Sequence, residues 1–239
     1  MSIRLVCLPF AGAGASFFRP WRRLGVEGVD VLPVQLPGRE ARLAEPLYTD
    51  VHEAADGLLP GVLADLAPSS DPVALFGHSL GAVLAYELTR RLVAAGQPVS
   101  WLFVSGSPAP GAERQQRASD LDEEGFVAQV EQLAGYRHPA FDHPELRELL
   151  VPTLYADVRM HEDYKPRDGE PLALPVTAIR GADDGLVTLQ ESQRWREATT
   201  AAFSHVEVPG GHMYLADDGR VVLGIVANSA AQAASSATR

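Results

Sequence analysis

Three observations predict an α/β fold here, with a parallel sheet flanked by helices and one helical insertion. Six short apolar runs, at residues 3–8, 29–34, 73–76, 99–104, 175–179 and 203–208, alternate with segments of helical periodicity. One junction is Gly77-His78-Ser79-Leu80-Gly81, a serine between glycines that joins an apolar run to an amphipathic helix. Between residues 112 and 164 the alternation lapses into two or three helices with no strand, and Ser105-Gly106-Ser107-Pro108-Ala109-Pro110-Gly111 breaks regular structure just before it.

Residues 3–8 are nearly all apolar, as a strand covered on both faces should be. After them, Gly12-Ala13-Gly14 mimics the start of a dinucleotide loop, but Phe17 stands where that fingerprint needs its third glycine. Ser16 is placed to cap a helix through Phe17, Phe18, Trp21 and Leu24. From Asp50 to Leu66 the residues Val51, Ala54, Ala55, Leu58, Leu59, Val62, Leu63 and Leu66 recur at helical spacing, with Pro60 a point for a kink. The helix after the serine runs to about Ala95 and stops at Gly96. Helices are expected near 120–133 and 144–164 in the insertion, then over 189–199 and 218–231, with 233–239 a fraying small-residue tail. The reading is one domain, residues 1–239, whose insertion at about 112–164 forms a lid.

Composition narrows the function. The 239 residues carry a formal charge of −11, which argues against a nucleic-acid partner. The single cysteine, Cys7, lies inside the first apolar run, where it reads as a small buried hydrophobe, and no disulfide within the chain is possible. No run approaches the roughly 20 apolar residues of a membrane span. The first run carries Arg4 and passes straight into a glycine-rich loop, unlike a signal peptide. A soluble, cytoplasmic monomer with no cofactor is expected. No histidine pair has metal-ligand spacing with a carboxylate, so no metal is expected either.

The glycine-flanked serine is a weak signal alone; its partners strengthen it. A serine nucleophile requires a base in reach and a carboxylate to hold that base in the right tautomer. Gly181-Ala182-Asp183-Asp184-Gly185 follows the fifth apolar run and Gly210-Gly211-His212 the sixth. The chain order Ser79, Asp184, His212 is that of the α/β-hydrolase triad, each residue just past the carboxyl end of a strand. Asp184 is preferred to Asp183 because Gly181, Asp184 and Val187 have the spacing common in that fold. The other histidines, His52, His138, His143, His161 and His205, are assigned to the surface or lid, and His78 to packing or hydrogen bonding in the elbow. Backbone N–H groups of Leu80 and of the loop after the first strand supply an oxyanion hole, with Ala11 the choice in that loop and Phe10 the alternative.

With these pieces in place, the chain resembles the type II thioesterases that accompany polyketide synthases and nonribosomal peptide synthetases. The resemblance rests on Cys7 through Phe18, Leu36-Pro37-Gly38-Arg39-Glu40, Phe76 through Ala82, the insertion segments His143 to Leu146 and Pro152 to Asp157, and Gly211 through Leu215. It implies removal of aberrant or stalled acyl groups from the phosphopantetheine arm of acyl or peptidyl carrier proteins. A generic carboxylesterase or lipase, and a catalytically silent binding module, are the alternatives. Two departures stand out: Phe10 replaces a histidine found in many members, and Gly185 replaces a proline, which is expected to loosen the turn of the acid. Since the chain starts directly on the strand bearing the oxyanion loop, a six-stranded parallel sheet in the order 2-1-3-4-5-6 is expected. Carrier proteins are usually acidic, as is this chain, so docking would use a local basic patch, with Arg19, Arg22, Arg23, Arg39 and Arg42 as candidates.

Overall fold

The computed structural model describes residues 2–112, 117–134, 139–167 and 169–237. Strands β1 (Ile3–Leu8), β2 (Val29–Pro33), β3 (Val73–His78), β4 (Trp101–Ser105), β5 (Val176–Gly181) and β6 (Phe203–Val208) form one sheet in the order β2-β1-β3-β4-β5-β6. All its pairings are parallel, as expected for an α/β-hydrolase sheet reduced to six strands. The alternation of side chains along each strand divides the core in two. Val6, Leu8, Val73 and Leu75 face a cluster built with α2 (Val51–Leu66) and α3 (Leu80–Ala94). Ile3, Leu5, Cys7, Ala74 and Phe76 face the other side, covered by α1 (Arg19–Arg23) and α8 (Arg220–Ala237). Burial on both faces is why these strands read as unbroken apolar runs rather than as alternation.

α2 starts at Asp50, whose carboxylate accepts from the N–H groups of His52 and Glu53, and continues through Pro60. Ser16 does not cap a helix. Its hydroxyl and N–H are both engaged by the Glu40 carboxylate, and residues Ala15–Phe18 form a 3₁₀ turn that runs into α1. The segment expected as one helix over 189–199 is α6 (Leu189–Gln193), opened by a Thr188/Glu191 capping box, followed by a 3₁₀ turn at Arg194–Ala198. The C-terminal helix is likewise preceded by a separate turn, α7 (Tyr214–Asp217), and α8 persists to Ala237, further than the expected fraying point.

Between β4 and β5 the insertion contributes α4 (Glu123–Ala134) and α5 (Pro144–Asp163), with 3₁₀ turns at Ala118–Asp120 and Pro139–Asp142. It has its own small core of Ala118, Phe126, Val127, Val151 and Leu154, against which Ala11 of the loop after β1 is packed. Residues 113–116 and 135–138, His138 among them, lie outside the described residues. Two other histidines assigned to the surface or lid are buried: His52 pairs with Glu87 between α2 and α3, and His161 lies on α5 beside the Ser107 hydroxyl.

Candidate active site

Parallel pairing brings the ends of β1, β3, β5 and β6 to one edge of the sheet, and each carries one part of the site. At the end of β3, Ser79 adopts φ 53° and ψ −118°, a conformation L-residues avoid, at a typical cost of about 1–3 kcal/mol. Close packing enforces it. A Cβ on Gly77 would lie 1.8 Å from the carbonyl oxygen of Gly81, and one on Gly81 would lie 2.4 Å from that of Leu8. The Ser79 N–H is held by the Ser105 carbonyl at 2.8 Å, so the turn is tied to β4. Leu80 is the first residue of α3, where helical N–H groups have no acceptor within their own helix.

The loops after β5 and β6 pack back to back. The Asp183 N–H donates to the Gly210 carbonyl at 2.9 Å, and a Cβ on Gly181 would lie 2.3 Å from the Gly211 oxygen. This contact brings His212 to Asp184, with His212 Nδ1 2.9 Å from Asp184 Oδ2. The other carboxylate oxygen, Oδ1, accepts from the N–H groups of Leu186 at 2.8 Å and Val187 at 3.1 Å. Burial raises the pKa of Asp184, but the His212 hydrogen bond and charge together with these two N–H groups outweigh it and hold the carboxyl below its ordinary value. Asp183 is exposed. Gly185 does not leave this turn loose, because Arg180 clamps it with Nη2 on the Asp184 carbonyl and Nε on that of Val187.

His78 is fully buried beside Ser79, with its ring centroid 4.8 Å from that of His212. Burial, and then the nearby His212 charge, push its pKa well below the ordinary histidine value, so it stays neutral. Its Nδ1 lies 2.8 Å from the Ser105 hydroxyl, which in turn lies 2.7 Å from the Tyr214 hydroxyl. Phe10 packs edge-on to both His78 and Phe17. Burial also drives the Cys7 thiol well above its ordinary pKa, as fits a core residue and not a nucleophile. Among the described residues no cluster of three or more metal-ligating side chains occurs, and no helix is long and apolar enough to cross a membrane.

The loop after β1 turns at Phe10–Ala13, closed by the Ala13 N–H on the Phe10 carbonyl at 3.0 Å with Gly12 at φ 77°. Among the described residues neither Phe10 nor Ala11 has an acceptor for its N–H, so both donors considered from the sequence are open.

A family model for the thioesterase domain matches residues 3–229. The chain belongs to the thioesterase family. It is a hydrolase acting on thioesters, and several of its relatives are named for biosynthesis of gramicidin S, cadicidin and anguibactin. It is 36% identical over 217 residues to the gramicidin S biosynthesis protein GrsT of Aneurinibacillus migulanus, covering 89% of this chain and 83% of that protein. It is 35% identical over 215 residues to a probable cadicidin biosynthesis thioesterase of Streptomyces griseus, covering 90% of this chain but only 58% of the relative. Among solved structures, the type II thioesterase BorB from the borrelidin biosynthetic cluster superposes with a TM-score of 0.84 at 39% identity, covering 95% of this chain and 92% of that one.

Some side chains do more, or other, than their sequence positions suggest. Arg39 is buried against Asp157 of α5, and Arg42 is paired with Glu45, so neither is a free surface cation. Arg19, Arg22 and Arg23 are exposed. His78 does hydrogen-bond in the elbow, but its partners Ser105 and Tyr214 carry no signal in the sequence, where Ser105 opens a break; only the β3–β4 register, His78 opposite Ser105, brings Ser105 to the site.

Proposed function

We propose that this protein is an editing serine thioesterase that releases stalled or aberrant acyl groups from the phosphopantetheine arm of acyl or peptidyl carrier proteins in polyketide or nonribosomal peptide synthesis. The observation that carries the reading is the Asp184–His212 hydrogen bond, set on the same sheet edge as the strained Ser79 turn in a chain of the thioesterase family. Ser79, His212 and Asp184 then form the triad. With Nδ1–H donated to Asp184, His212 keeps Nε2 free as the base. It takes the Ser79 proton as Oγ attacks the thioester carbonyl, and the oxyanion lies against the N–H groups of Ala11 and Leu80, each such donor being worth about 3 kcal/mol of barrier. Collapse breaks the C–S bond, and the imidazolium returns the proton to the departing thiolate. A water activated by His212 then hydrolyses the acyl-serine ester, giving the free acid and Ser79. A neutral His78 places no second cation beside the imidazolium that forms in each half-reaction. The insertion helices α4 and α5 serve as the lid.

The test is hydrolysis of acyl-pantetheine carrier proteins by the wild type and by Ser79→Ala, together with matched oxoesters. Turnover should fall by at least about 10³-fold in the variant. Near-wild-type turnover in Ser79→Ala refutes the mechanism, and a preference for the oxoester replaces it with a carboxylesterase.

A further inference from the structure

The Leu36-Pro37-Gly38-Arg39-Glu40 segment has no part in the chemistry above, yet it is wrapped around the loop that presents Ala11. Gln35 Oε1 accepts from the Ala15 N–H at 3.1 Å, Glu40 accepts from the Ser16 N–H, and Arg39 Nη1 donates to the Ala13 carbonyl at 3.2 Å. Arg39 then reaches α5, where its guanidinium forks onto Asp157, with Nη2 2.8 Å from Oδ1 and Nη1 on Oδ2. That same Oδ2 accepts from the Gly12 N–H at 2.8 Å. Both side chains are shielded from water, at 9% and 1% exposure. One turn earlier on the same face of α5, Leu154 closes over Gly12, where a Cβ would meet its Cδ1 at 3.0 Å.

A buried ion pair is weak evidence for stability, because desolvation offsets its attraction and apolar replacements often do as well. What it supplies here is orientation. The Gly12 N–H bond sets the plane of the Ala11–Gly12 peptide, and the Ala13 carbonyl bond sets the far side of the turn. We propose that Arg39 and Asp157 are positioning residues that hold the loop after β1 in its oxyanion-binding geometry, so that the loop is set by α5 of the insertion as well as by the sheet. This rests on the reading of Ala11 and Leu80 as the oxyanion donors. The insertion and the loop borne by the sheet are thereby linked through one carboxylate.

The experiment is steady-state kinetics on an acyl-pantetheine thioester with the double variant Arg39→Met/Asp157→Leu, which removes both charges together, alongside thermal unfolding. A loop 1 Å out of place is expected to lower kcat by about 100-fold while KM stays within about threefold, because the loss falls on the transition state. An unchanged kcat in the folded double variant overturns the proposal, as does a loss confined to KM. Should the double variant show no cooperative unfolding transition, Arg39→Lys decides. Lysine keeps the charge but not the fork, so kcat at least tenfold down with the thermal midpoint retained supports the brace, and unchanged kcat overturns it. A wild type without thioesterase activity, or activity surviving in Ser79→Ala, instead counts against the proposed function.

Discussion

Asp184→Asn replaces one carboxylate oxygen by an NH₂, and its surroundings dictate which one. Oδ1 accepts two backbone N–H groups, from Leu186 and Val187, whereas Oδ2 meets only His212 Nδ1. Turning the NH₂ toward the two N–H groups would strand both donors, at about 1–3 kcal/mol each. The amide oxygen therefore stays on the backbone side and the NH₂ faces the imidazole. His212 must then accept at Nδ1 and carry its proton on Nε2, the tautomer that cannot take a proton from Ser79. The fold keeps its hydrogen bonds, but the base is lost. We expect kcat/KM at neutral pH to fall about 10⁴-fold, the scale seen when a triad carboxylate becomes an amide, with a small drop in thermal midpoint from the lost carboxylate charge. Asp183→Asn, at an exposed side chain one residue earlier, serves as the control and should stay within about twofold, since exposed substitutions of this kind perturb little. Loss of less than tenfold in Asp184→Asn, or an equal loss in Asp183→Asn, would refute the reasoning.

Gly81→Ala places a methyl 2.4 Å from the Leu8 oxygen and 2.8 Å from that of Pro9, both backbone, so urea unfolding should show at least about 2 kcal/mol lost stability; a wild-type midpoint would show the contact to be soft. Because the pKa of Asp184 is depressed in the fold, its ionised form contributes stability that is complete above the unfolded carboxylate pKa of about 3.9 and is lost as pH falls through the lower folded value. The stability gap between wild type and Asp184→Asn should accordingly close in acid, and a gap that widened there would contradict the assignment. Reversing the charge of Arg22 and Arg23, exposed on α1, should raise KM for carrier-bound substrate and not for small acyl-pantetheine thioesters; equal effects on both would remove α1 as a docking face.

Much of the site was legible because its parts are local. A strand buried on both faces announces itself as an apolar run, a nucleophile turn demands glycines at fixed offsets, and parallel order puts every strand end on one edge, so Ser79, Asp184 and His212 stand out as a candidate triad without coordinates. The preference for Asp184 over Asp183 came from spacing, and its physical reason, two backbone donors holding the opposite oxygen, appeared only with the loop folded. Local pattern misled where a side chain had a distant competitor: Ser16 reads as a helix cap, but Glu40, 24 residues away, takes its hydroxyl.

By itself the sequence determined the six strands and the chain order of the proposed triad, since these follow from periodicity, glycine offsets and motif spacing, while the sheet order and the family came from its resemblance to known thioesterases. Tertiary structure alone decided which charged residues are structural. Arg39 and Asp157 lie 118 residues apart, and nothing in either residue's neighbours marks it as buried. An arginine in a polar loop looks like a surface cation until folding lays a helix across it, because burial and pairing belong to the packing of segments and not to any one of them.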